Sequence, residues 1–199
     1  MTKSFETFMA QHALTGSEKA DGYSQDAFTD LTDTEKEIVF EKLVSELPWS
    51  GAIEWIFKIN PGRAFVALKN LEEKMRGDPY NDAYELQAHL LDYSGDLFYQ
   101  DQMIEDYSNY IDRKKSQVVN AIGRASPNET TIKFFEQVIL TETNEDAVKS
   151  AGIQLLKAAQ IPRNNDLERQ IYDRLADELR SDNTEDKLRA IAEVEKRSL

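Results

Sequence analysis

The sequence predicts an all-α chain of about eight to ten helices, stacked as antiparallel pairs, and three observations carry that expectation. Apolar residues recur at i, i+3, i+4 and i+7 along the chain. No β-branched alternation runs long enough for a strand. The five prolines, at 48, 61, 79, 127 and 162, all fall between the apolar stripes. There a residue that lacks an N–H and biases its predecessor away from the helix does least harm.

The elements follow in order within a single domain, 1–199. Residues 1–30 read as an N-terminal helix, with His12 beside Phe8 and Met9, and a polar loop or hinge from Thr15 to Gln25. Residues 31–76 begin with Thr32 and Thr34, each fitting a capping box with the Glu three positions on (Glu35, Glu37), ahead of Phe40, Leu43, Val44 and Leu47. Trp49, Ala52, Ile53 and Ile56 form the next stripe, which makes Trp49 and Trp55 core candidates; Ala64, Ala67, Leu68, Leu71 and Met75 form another. Gly77-Asp78-Pro79 breaks the chain before a 77–112 hairpin. In 113–199, stripes are led by Val118, Ile132, Val148, Leu167 and Leu188. A weak internal repeat at an offset of 40 aligns Phe135 with Leu175, Ile139 with Leu179, and Thr143 with Asn183 as N-caps.

Residues Asn120 to Pro127, then Ile132 to Leu140, then Asn144 to Ala151 resemble a HEAT repeat, an apolar first helix followed by a second that opens acidic and continues with a basic residue and small residues. The resemblance is clear over 118–160, weaker over 161–199 and suggestive over 28–76. Lys149 stands where Arg is usual, and Glu195 and Lys196 replace apolar positions in the last copy, which suits a polar cap. The resemblance implies an α-solenoid that holds another macromolecule on a ridge or concave face; it implies no chemistry by itself.

Composition narrows the function further. The chain has no Cys, so disulfides, thiolate metal sites and cysteine nucleophiles are excluded. Its 24 Lys and Arg against 37 Asp and Glu leave a net charge of −13, which disfavours direct binding to nucleic acid or anionic membranes. No apolar run reaches the ~18 residues of a membrane span, and Met1 to Ala20 lacks a signal peptide's hydrophobic stretch. A cytoplasmic setting is expected.

The charge is concentrated. Between Gly77 and Asp112 lie nine acids, no Lys or Arg, and six of the eight tyrosines. Helical spacing puts Ala83, Leu86, Leu90 and Tyr93 on one side of the first helix, with Glu85, His89 and Asp92 opposite. On the second helix Leu97, Ile104, Tyr107 and Ile111 read as inward-facing. The expected partner-binding surface is Asp82, Tyr84, Glu85, Asp92, Asp96, Tyr99, Asp101 and Glu105, with Tyr84 and Tyr99 as anchors. Reversing Glu85, Asp92 and Asp101 to Lys is expected to ease repulsion and leave the fold intact.

Those residues suit a basic protein partner, with no cofactor and no catalytic residue assigned. By analogy with small acidic HEAT-like proteins, a toxin-neutralising immunity protein or nuclease inhibitor is the narrower expectation. An assembly scaffold using its concave face is the first rival. A carboxylate-metal enzyme built on Glu85, His89, Asp92, Asp101 and Glu105 is the second, set aside because these residues lie opposite the apolar stripe. Pro61-Gly62-Arg63 is an isolated turn, far from a phosphate-binding loop.

Overall fold

The computed structural model describes residues 1–197; the last two positions of the expected 113–199 segment lie outside it. Those residues form twelve α-helices and two short 3-10 turns, with no strand among them. The number exceeds the eight to ten expected, in part because the polar stretch read as a loop contains a four-residue helix, α2 (Ser17–Ala20). The chain divides into two compact units at Gly77, within the Gly-Asp-Pro break.

The first unit, Met1–Arg76, contains α1 (Lys3–His12), α2, α3 (Asp33–Val44), α4 (Ser50–Ile59) and α5 (Pro61–Met75). Thr32 and Glu35 form the expected capping box, and Glu35 also accepts the Thr2 amide at 2.8 Å, tying the start of α1 to that of α3. Thr34 with Glu37 is not a second box, because α3 has already begun at Asp33. Asn60 caps α5, whose first residue is Pro61. Phe8, Val39, Phe40, Leu43, Ile53, Ile56 and Leu68 fill the core. The α5 stripe also contains Glu72, fully buried and accepting from Arg76 Nε at 2.8 Å and Nη2 at 2.6 Å. Trp49 and Trp55 are half-buried; Trp55 stacks on Phe28 with centroids 3.8 Å apart.

The second unit begins with α6 (Ala83–Ser94), α7 (Phe98–Asp106) and α8 (Asp112–Ile122). It continues with α9 (Glu129–Thr141), α10 (Glu145–Ala158), α11 (Asp166–Leu179) and α12 (Thr184–Arg197). Asn residues open the last four: Asn128, Asn144 and Asn165 cap an N3 amide, and Asn183 accepts from the amide of Glu185. The α10 cap is therefore Asn144, one residue beyond the expected Thr143.

Side chains bind α6, α8 and α10 into one parallel row. Asp82 meets Lys114 near the N-terminal ends of α6 and α8, and Asp92 meets Arg124 at the other. Ser116 bonds Ser150 at 2.8 Å and Gln154 bonds Asn120 at 3.0 Å between α8 and α10. A second row runs α7 to α9: Gln100 links to Asn128 at 2.8 Å, and Tyr107 donates to Glu142 at 3.0 Å. The α11–α12 pair then packs α11 on α10 and α12 on α9. On α12 the buried stripe is Ala190, Ile191 and Val194, so Leu188, which headed the expected stripe, points outward, as does Ala192.

Candidate functional site

The acidic hairpin has a third helix against it, and that changes which residues reach the surface. Helix α6 lies between α7 and α8, so it is buried on two sides and its inward set widens to Ala83, Tyr84, Leu86, Gln87, Ala88, Leu90 and Leu91. Tyr84 faces α8: it is 3% exposed, donates to Gln117 at 3.1 Å and packs edge-on against Tyr110. Tyr99 is 4% exposed at the start of α7. Neither tyrosine is available as an anchor, contrary to the sequence expectation; for Tyr84 the reason is that a ring facing a hairpin's open side is covered once α8 docks.

Helix α8 also brings counter-ions. Lys114 pairs with Asp82 and Arg124 with Asp92, so these two acids lack the uncompensated charge expected of them. Lys115 bridges Asp112 at 3.2 Å and Glu142 at 2.9 Å. Glu85 is half-buried; burial, with Asp82 adding to it, pushes its carboxyl above the ordinary range against the opposing pull of Lys114 and Arg124. Burial would also raise Glu142, but Lys115, the amides of Asn144 and Thr143, and the Tyr107 hydroxyl overcome it and hold the carboxyl at about 2. The sequence signal for this was the Arg113-Lys114-Lys115 run, which lies just beyond the acidic window.

What remains exposed is the outer face of α7 and the turn before it. Asp96, Leu97, Phe98, Asp101 and Glu105 all lie on the surface, and the last four recur at helical spacing on one side of α7. Asp96 accepts the amide of Phe98 at 3.0 Å, and Glu105 accepts Gln102 at 2.6 Å; none of Asp96, Asp101 and Glu105 has a basic partner among the described residues. Tyr93, Leu97 and Phe98 are 49%, 47% and 45% exposed, a cluster of large apolar side chains beside those acids. Tyr93 and Leu97 were expected inward; Gly95, at φ 68°, turns the chain over before α7, and both fall on the outside of that turn. The hairpin therefore presents an apolar knuckle rimmed by unpaired carboxylates.

Among the described residues no group of three His, Asp or Glu is placed to hold a metal ion, and no helix is long and apolar enough to cross a membrane. No family model matches the chain, and neither curated proteins nor solved structures yield a match.

Proposed function

We propose that this chain is a non-enzymatic protein-binding module, built as a HEAT-like α-solenoid, that captures a basic protein partner on the outer face of α7. Within that class the reading we favour is a toxin-neutralising immunity protein or nuclease inhibitor. The single observation that carries the proposal is the knuckle itself, with Tyr93, Leu97 and Phe98 exposed beside Asp96, Asp101 and Glu105. Exposed aromatic area supplies contact energy at little cost in rotamer freedom, while unpaired acids steer a cationic surface onto it. The α-solenoid reading is supported by the contacts between α6 and α8 and between α8 and α10, which recur at sequence separations of 32 to 34 residues. Co-purification of the tagged chain with products of the genes neighbouring its own tests the function. Recovery of a basic protein, lost with L97D/F98D, is the expected outcome; equal recovery with L97D/F98D overturns the assignment of the knuckle.

A further inference from the structure

We propose that Tyr23, Trp49 and Glu46, in the first unit, form a binding site for a primary alkylammonium group, the chemistry of an unmethylated lysine side chain, and that the protein's own Lys19 occupies it as a displaceable plug. The site is complete around the Lys19 nitrogen. Nζ lies 4.4 Å from the Tyr23 ring centroid and 4.9 Å from that of Trp49. It donates to the Tyr23 hydroxyl at 2.8 Å, lies 2.7 Å from Glu46 Oε1, and has the His12 carbonyl 3.5 Å away. Those oxygens need N–H donors, so the geometry selects a primary ammonium; a quaternary group would keep the ring contacts and lose the hydrogen bonds.

The walls are fixed without Lys19. Tyr23 stacks on Phe8 at 5.1 Å and donates its hydroxyl proton to Glu46 Oε2 at 2.7 Å, while His12 Nδ1 lies 2.9 Å from Oε1. The Trp49 indole lies so close over Gly51 that a Cβ there would come within 2.4 Å of its ring. The segment that carries the plug is held very differently. From Ala13 to Asp21 every described side chain except that of Lys19 is exposed. Gly16 and Gly22 bracket α2 at φ 64° and 78°, each with nothing near where a Cβ would stand. A preformed cage filled by one side chain of an otherwise unpacked segment is the arrangement of an internal competitor, whose tether gives it an effective concentration of about millimolar or more. This site shares no residue with the α7 knuckle, and its test does not depend on that reading.

The test uses the full chain labelled with 5-fluorotryptophan, the Trp49 resonance being assigned with W49F, and titrated with n-butylammonium or tetramethylammonium chloride. K19A is expected to bind n-butylammonium roughly tenfold more tightly than the wild type, because the tethered competitor is gone. K19A/E46Q should lose that gain, and tetramethylammonium should show none of it. In the wild type, saturating n-butylammonium should speed hydrogen exchange at amides 13–22. A folded K19A whose Trp49 response matches the wild type overturns the proposal. So does a K19A that fails to fold, since a displaceable plug cannot be required for folding, and so does unchanged exchange in the wild type.

Discussion

Asp92 and Asp101 carry the same charge on neighbouring helices, but Arg124 pairs with one and no basic side chain among the described residues pairs with the other. Asp92→Lys therefore removes a surface ion pair and sets two cations together, at a cost of about 1 kcal/mol, whereas Asp101→Lys should stay within about 0.5 kcal/mol of the wild type. Thermal unfolding of the two single variants separates them, and it replaces the expectation that reversing both together with Glu85 would ease repulsion. Glu85 makes the opposite case. Burial and Asp82 raise its carboxyl, so the folded chain holds that proton more tightly than the unfolded chain does. Its contribution to stability is thus present at low pH and lost as pH rises through the raised value. Glu85→Gln, neutral at every pH, should raise Tm at pH 7, and the gain should fade as pH falls through the raised value and be gone below the ordinary carboxyl value of 4.5.

Between elements, Gln100, fully buried on α7, ties three helices of the second unit: it donates to the Ile122 carbonyl at the end of α8 at 3.0 Å and accepts from Asn128 at the start of α9. Gln100→Ala strands both partners and should cost about 1–3 kcal/mol in urea denaturation. Removing α12 by ending the chain at Ser181 uncovers Leu175 and Leu179, both fully buried, and should lower Tm or solubility; an unchanged Tm would show that α12 does not cap the unit. Helix positions were legible in the sequence because proline breaks and 3.6-residue periodicity are local properties. Phe135, Ile139, Leu175 and Leu179, aligned by the repeat, are all buried. Facing was less legible, since it depends on neighbours that periodicity does not name. One stripe describes a helix with one partner, and α6 has two, so Tyr84 went inside and the acids beside it acquired Lys114 and Arg124. The knuckle was half-legible: Asp96, Asp101 and Glu105 followed from charge, but Leu97 and Phe98 depended on the turn at Gly95. The cage around Lys19 left no local signal at all, since Lys19 and Tyr23 come from one stretch of the chain and Glu46 and Trp49 from another more than 20 residues on.

Across the molecule, two carboxylates held at about 2, one in each unit, contribute most to the acid limit. Glu35 is held at about 2 first by the Thr32 amide and then by that of Thr2, and Glu142 reaches about 2 through Lys115 and its amide donors against the effect of burial. Both give stability that is present above the unfolded value of 4.5 and lost as pH falls toward 2. Tm measured against pH should fall through that window, and E35Q/E142Q should start lower at pH 7 and respond less to acid. At neutral pH the net charge of −13 governs association instead, and the three carboxylates on the outer face of α7 and the turn before it are among those that no basic side chain of the described residues pairs with. The most direct test is the affinity for the co-purified basic partner as a function of salt, wild type against D96K/D101K/E105K, with circular dichroism to show that the variant folds. The expected result is weaker binding with a shallower salt slope in the variant. A folded triple variant that binds with the wild-type affinity and slope would contradict capture on α7 and leave the concave face as the binding surface.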